Sequence, residues 1–423
     1  MAVDFSLLPP ECTVPDRAPS PFVWSIVFVV LALAGVAYAL WSWPHGAKTQ
    51  TPQFWFCVGI LPVCGVGILV LSRFAFFYKR RNIALSDIAI RNAYVRILFD
   101  VASVPLAVLS AAYRVHANDD ENAFDAIVER SKTPATRLAV NAGEMVVASC
   151  FEPAAAALCF DDTERQKEVL KWILCSFAPM IERALNATPV SIPVAVNLDI
   201  DSRELGNEEI GAIWSELTAT VCPGRLSNPP VIRSSGGVWL VDRMLDQTGP
   251  SRRDVLTLLI SANLNAVHAA DPSPGSAEAA CMMLLCPASL ARDADLAVQG
   301  WIHRPQDEAA APLGQALDYA LTWGRTIAEA VGGTIQTGGA DVAARLRKTL
   351  NSGSNAGHRS AGSDFSLEAL VGDTGTTAPW LAAALALDRA TLSSMPYLIG
   401  NQSGDQLLIA VVAPAEQHTK QEQ

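Results

Sequence analysis

Residues 371–390, VGDTGTTAPWLAAALALDRA, join a strand-like approach to a Gly- and Thr-rich turn and an apolar helix. A turn of this shape can hold a phosphate, form part of a catalytic site, or serve only as a turn. The phosphate reading requires GxxxxGK[ST], because its lysine balances phosphate charge. Here the lysine is missing, and Asp373 stands where an anion would sit. The dinucleotide pattern GxGxxG is also missing. The turn is therefore expected to be structural, with Gly372 and Gly375 shaping it and Thr374, Thr376 or Thr377 capping the helix. Acid–base work by Asp373 is the alternative.

Other nucleophile signatures are no stronger. GxSxG does not occur, and GNQSG places Gly400 and Ser403 at the wrong spacing for a nucleophile elbow. Of the six histidines, His45 lies between two apolar segments, His116 follows a strand-like run, His358 lies in a small-residue loop and His418 near the last residue. His268 and His303 flank strands and are the histidines placed for catalysis. Cys150 precedes a helix-like run, where a helix N-terminus could activate a thiol, but Glu152 beside it opposes thiolate formation. Nine cysteines, at 12, 57, 64, 150, 159, 175, 222, 281 and 286, form no CxxC pair and read as buried thiols rather than disulfides. Cys281 and Cys286 flank MMLL and read as core. No His or Cys cluster has zinc spacing. The sequence thus assigns no catalytic, cofactor-binding or metal-ligating set.

The elements that must position these residues begin with two apolar runs. Half of the 423 residues are hydrophobic, and the mean hydropathy is +0.25. Residues 22–43 carry no charge and as a helix span roughly 33 Å, enough for a bilayer core. Residues 54–78 carry only Arg73, near enough to the end to snorkel. The first run lacks the basic start and cleavage site of a signal peptide, and a second span follows at once. Lys79, Arg80 and Arg81 follow the second run, so both termini are expected in the cytoplasm of a bacterium, with the hairpin in the inner membrane. Trp41, Trp43 and Trp55 cluster at the other mouth. Beyond residue 81 there are 25 Lys and Arg against 39 Asp and Glu, a net charge of −14. Such a surface repels nucleic acid and anionic lipid and favours protein partners.

The expected organisation is a tail over 1–20, a transmembrane hairpin over 21–81, a juxtamembrane helix and linker over 82–103, an α/β domain over 104–415 and a tail over 416–423. Residues 82–100 show helical apolar spacing and continue from the second span until Pro105 breaks the helix. Strands are expected over 106–115, 190–200, 254–265 and 277–290, and in a closing hairpin over 395–414. Helices are expected over 165–185, 207–221, 311–331, 340–351 and 379–392. This alternation argues one α/β domain with a largely buried sheet.

Three segments of the last third carry a resemblance. GSAEAACMMLLCP resembles the small-residue strand with an internal Glu of β-ketoacyl synthases and other thiolase-like proteins. GDTGTTAPWLAAALAL resembles their GHTxGAAG turn and helix, and LIGNQSGDQLLIAVVAP their closing hairpin. The resemblance implies a thiolase-like layered α/β fold and a homodimer. It departs where those enzymes carry a histidine after glycine, since this chain has Asp373; a Cys–His–His set would be incomplete, and the loop reads as the relic of a catalytic turn. In length and layout the chain also resembles the type VI lipase adaptor family. That resemblance implies an anchored cytoplasmic adaptor that binds a lipase effector and loads it onto the type VI secretion spike, with no cofactor and with the spike protein as a further partner. A thiolase-like acyltransferase using Cys150 with His268 or His303, and a membrane scaffold of an envelope machine, are the alternatives. Trp214, Trp239, Trp301, Trp323 and Trp380 are the expected apolar anchors for a protein partner.

Overall fold

The computed structural model describes residues 13–14, 17–45, 48–138, 143–222, 224–226, 229–232, 236–246, 255–307, 312–353, 364–403 and 406–415. The tail over 416–423, almost all of the small-residue loop 352–364 with His358, His418, Cys12 and most of the tail over 1–20 lie outside them. The chain divides into two compact units, one ending at Leu98 and the other running from Phe99 onward.

In the first unit, α1 (Pro21–Trp41) starts on a proline, which costs no hydrogen bond in the first turn. After a short connection, α2 (Pro52–Trp55) is capped by the Thr51 hydroxyl, which accepts from the Phe54 N–H at 3.3 Å. It runs through a π-helical turn, Phe56–Ile60, into α3 (Leu61–Ala102), 42 residues long. Both Pro21–Trp41 and Pro52–Ala102 are long and apolar enough to cross a membrane. A Cβ on Gly35 would fall 2.8 Å from Pro62, and one on Gly67 would fall 3.9 Å from Phe28. The pairs 35/62 and 28/67 run in opposite directions, so the helices form an antiparallel hairpin. At its closed end Trp43 and Phe54 meet edge to face, ring centres 5.0 Å apart. Residues 82–102 continue α3 without a break, in line with the helical spacing of 82–100, and the helix ends before Pro105.

The second unit is built on thirteen strands: β1 (Leu106–Arg114), β2 (Thr136–Leu138), β3 (Met145–Val147), β4 (Val194–Asp201), β5 (Val231–Ile232), β6 (Leu256–Asn263), β7 (Ala279–Pro287), β8 (Gly300–Ile302), β9 (Gln306–Asp307), β10 (Gly333–Thr337), β11 (Asp364–Ser366), β12 (Tyr397–Ser403) and β13 (Gln406–Pro414). Between them lie α4 (Phe124–Arg130), α5 (Asp162–Asn186), α6 (Asn207–Thr220), α7 (Trp239–Asp246), α8 (Ala288–Asp293), α9 (Leu313–Trp323), α10 (Ala340–Gly353), α11 (Leu367–Leu370) and α12 (Ala378–Ser393). Eleven strands form one sheet in the order β11-β10-β12-β13-β8-β1-β7-β6-β4-β5, with β9 on β13, while β2 and β3 form a separate pair.

Strand alternation sorts the side chains into three cores. Along β7, Ala280, Met282, Leu284 and Cys286 face α5 and α6. Cys281, Met283 and Leu285 point the other way, onto α12. Along β13, Leu408, Ala410 and Val412 also face α12. Leu407, Ile409 and Val411 face α9 and α10. The result is five layers, helix–sheet–helix–sheet–helix, with α12 at the centre. Every residue of α12 from Ala378 to Leu387 is buried, and none is charged. The layered α/β fold expected from the sequence is the one observed.

Several expectations are corrected. β10 and β11 fall where no strand was expected, and α9 stops at Trp323 rather than reaching 331, because Arg325 takes a left-handed conformation with φ +48° and the Thr326 N–H closes back on the Leu321 carbonyl. Among the described cysteines only Cys281 and Cys286 are buried; Cys64 and Cys175 are exposed. Trp214, Trp323 and Trp380 are buried at 1%, 3% and 0% exposure, so they are core residues rather than surface anchors. Trp239 and Trp301 are half-buried and pack against the cores.

Candidate functional site

The parallel pairs β4/β6 and β10/β12 end at one face of the domain, where α12 begins. Ligand sites of α/β proteins commonly form outside the carboxyl ends of parallel strands. A cleft of about 530 Å³ opens here, lined among others by Asp201, Thr337, Glu368, Asp373, Thr376, Asn401 and Gln402. The Thr337 hydroxyl donates to Asn401 Oδ1 at 2.6 Å. Glu368 accepts from the Gly338 N–H and, at 2.9 Å, from the Ser366 hydroxyl. The Thr376 hydroxyl meets no protein partner.

The loop containing Asp373 is held by its backbone. The Asp373 N–H donates to the Gly275 carbonyl and the Ala277 N–H to the Asp373 carbonyl, both at 2.8 Å. Gly372 has φ +115°, and a Cβ there would fall 2.7 Å from the Gly275 oxygen, so glycine is required. The Asp373 carboxylate accepts from the Gly375 N–H at 3.0 Å, a local Asx turn. The expected threonine cap is corrected: neither Thr374 nor Thr377 makes a side-chain cap bond, because a 3₁₀ turn, Gly375–Thr377, precedes α12. Thr377 instead meets the Ser261 hydroxyl at 3.0 Å.

The other candidate residues are scattered. Cys150 is not at a helix N-terminus; an irregular stretch follows it, and burial, reinforced by Glu278, pushes its thiol up to about 11 despite Arg137 and Arg165. Glu278, and not Glu152, is the carboxylate that opposes its ionisation. His303 is buried beside β13, where its backbone N–H meets the Val411 carbonyl at 2.9 Å. His268 sits in a loop whose N–H groups wrap Asp162. His116 is held by the same turn as Asn118 and Asn122; burial and Arg130 lower its pKa. Among the described residues lining the cleft there is no cysteine, histidine, lysine or arginine. Among the described residues no group of three or more His, Cys, Asp or Glu could hold a metal ion.

One constellation escaped sequence reasoning. Arg165 on α5 donates to both oxygens of Glu278, at 2.9 and 2.8 Å, with 0% exposure for Glu278. The Phe151 and Asn265 N–H groups donate to the same carboxylate at 2.6 and 2.8 Å. Next to it, buried Asp162 accepts from the N–H groups of Val267, His268 and Ala269, at 2.7 to 3.1 Å. Burial raises the Asp162 pKa, but those donors outweigh it and hold the carboxyl below its ordinary value. The internal Glu of the strand motif is the one visible sign of this cluster in the sequence. Arg165 and Phe151, two of its three partners, are more than a hundred residues away.

Chemically, the cleft offers carboxylate and amide oxygens with side-chain amide donors, which suits hydrogen-bonding or cationic groups. No protein-family model matches the chain, and no curated protein is similar to it. Solved structures similar to it include ketosynthase twelve of the bacillaene polyketide synthase of Bacillus amyloliquefaciens, 11% identical, with a TM-score of 0.47, covering 74% of this chain and 73% of that one. The ishigamide ketosynthase/chain length factor is 12% identical, with a TM-score of 0.48 over 73% of this chain and 99% of that one. A β-ketoacyl synthase from Burkholderia phymatum STM815 is 10% identical, with a TM-score of 0.47 over 74% and 100%. At these identities the likeness is one of fold alone.

Proposed function

We propose that the chain is a membrane-anchored adaptor whose domain beyond residue 98 binds a protein, and that this protein is a lipase effector of a type VI secretion system. The observation that carries the reading is the lining of the cleft. Where the parallel strands end, the described residues lining the cleft present carboxylates and amides and no thiol, imidazole or basic side chain, a surface suited to binding rather than acyl transfer. The helical hairpin supports anchoring in the inner membrane, with Lys79, Arg80 and Arg81 holding the domain in the cytoplasm. The net charge of −14 beyond residue 81 supports a protein partner over nucleic acid. The resemblance in layout to the lipase adaptors supplies the partner class, with delivery to the secretion spike as the outcome. Such a complex is expected to bury roughly 1,200–2,000 Å².

The test is co-purification of the detergent-solubilised full chain with the lipase effector encoded beside it. A complex at micromolar concentration without added nucleotide or metal is expected. Turnover of acyl thioesters by the purified chain, with no complex and with effector delivery surviving deletion of the gene, would replace the adaptor with the acyltransferase.

A further inference from the structure

Between the basic triplet and the end of the first unit, α3 carries an apolar stripe that no other described element of that unit covers. Ile83, Ile90 and Ile97 recur at intervals of seven and are 50%, 65% and 62% exposed. Tyr94, four residues after Ile90 and three before Ile97, is 45% exposed on the same face. At about 100° per residue these four side chains fall within a narrow strip of the helix. Asn82, Ala89 and Arg96 lie to one side of it and are exposed. A repeat of seven is the spacing of a coiled-coil seam, and half-buried Ile88, Val95 and Leu98 extend the apolar surface on one side of it. In heptad terms the isoleucines hold one core position and Asp87 and Tyr94 the other.

We propose that copies of this chain self-associate through this face of α3 as a parallel coiled coil standing on the membrane. The inference rests on the membrane-anchored reading above. The occupant follows from two observations. First, α3 is continuous from Leu61 to Ala102, so about 30 Å of helix projects beyond a bilayer core of about 30 Å. Second, two copies anchored by the same hairpin in the same bilayer are parallel and at equal height. Each Ile83, Ile90 and Ile97 therefore meets its own counterpart, which is the register a heptad seam needs. A soluble partner helix has neither constraint. Asp87 is the one charged residue between Ile83 and Ile97 on the strip, so in a parallel pair it faces its own copy; such a residue lowers stability while it restricts alternatives.

The test is disulfide trapping in native membranes of the full chain with Cys12, Cys57, Cys64, Cys150, Cys159, Cys175 and Cys222 replaced by serine, which leaves only the buried Cys281 and Cys286. Single cysteines are introduced as Ile83→Cys, Ile90→Cys and Ile97→Cys, with Asn82→Cys, Ala89→Cys and Arg96→Cys as the flanking set. Copper-phenanthroline oxidation should give homo-oligomeric disulfides for the isoleucine set, with crosslinked fractions on the order of ten-fold above the flanking set, as a seam of this geometry requires. Adding Asp87→Leu to Ile90→Cys should raise the crosslinked fraction, and adding Ile97→Lys should lower it. Alkaline carbonate extraction of the same membranes separates the two readings. A protein released into the soluble fraction would overturn the anchoring and the register with it. A protein retained in the membrane that gives no homo-oligomeric band, equal bands from both sets, or a band only with a different protein would overturn self-association alone.

Discussion

Glu278 and Asp373 lie on adjoining backbone segments, since residue 276 pairs with residue 373 in a short parallel bridge. Both come from segments with the look of an enzyme motif. Their surroundings are opposite. Glu278 is sealed off, and two guanidinium and two backbone N–H donors saturate its oxygens. Asp373 is exposed and lines a cleft, with one short-range bond to its own turn. A saturated carboxylate in a dry interior has no capacity left for a ligand and serves to hold chain segments together. An exposed one contributes little to folding and keeps its capacity for whatever enters the cleft. Motif resemblance pointed to both; burial and bond saturation separate them.

The comparison can be broken most forcefully at Glu278. Glu278→Ala leaves Arg165 buried without its counter-charge and should cost about 3–5 kcal/mol, read as a lower midpoint in denaturant unfolding of the purified chain. A loss below about 1 kcal/mol would show that the cluster is not structural. Asp162→Asn is the intermediate case, since three backbone donors lose a charged acceptor, and about 1–3 kcal/mol is expected. Its pH dependence has a definite sign. The folded pKa lies below the unfolded value of about 3.9, so the stabilisation is complete above that value and is lost as pH falls through the depressed one. The variant should therefore show a flatter acid limb in a stability–pH curve. Asp373→Ala should have the smallest effect, about 0.5–1 kcal/mol, because solvent can replace its carboxylate at the Gly375 N–H. A larger loss would place Asp373 with Glu278 rather than opposite it.

The elements legible in the sequence are those whose pattern is local. The spacing of 82–100 announced a helix continuing from the apolar run, and the β-branched residues of 190–200 announced β4. β10 was missed for a physical reason. Its residues, GTIQT, have one large apolar side chain, yet all five are buried between β11 and β12. Most of its side-chain polar groups bond laterally: Thr334 to Asp364, the Gln336 amide N–H to Thr334 and Thr337 to Asn401, while Gln336 Oε1 meets no partner. No hydropathy pattern encodes such a strand. The tryptophans misled in the other direction, because a large aromatic is equally at home in a core or an interface until its neighbours are known. At the candidate site, the need for Gly372 was readable. Most partners of Asp162 and Glu278 were not, since, apart from Asn265 with Glu278, they join positions more than a hundred residues apart.

The place of β13 in the sheet has a consequence for how the protein is made. It lies between β12 and β8, and through β8 it links to β1, while Ala378–Leu387 of α12 are all buried and apolar. The sheet does not close over α12 until the segment ending at Pro414 has emerged. At about 5–20 residues per second, the roughly 300 residues between Leu106 and Pro414 take on the order of 15–60 s to synthesise. The apolar hairpin is out of the ribosome throughout that interval. On the membrane-anchored reading proposed above, insertion into the bilayer precedes completion of the domain, and an unfinished apolar sheet waits beside a membrane. Its lifetime is set by translation, which makes this interval the one in which a chaperone would have most to hold.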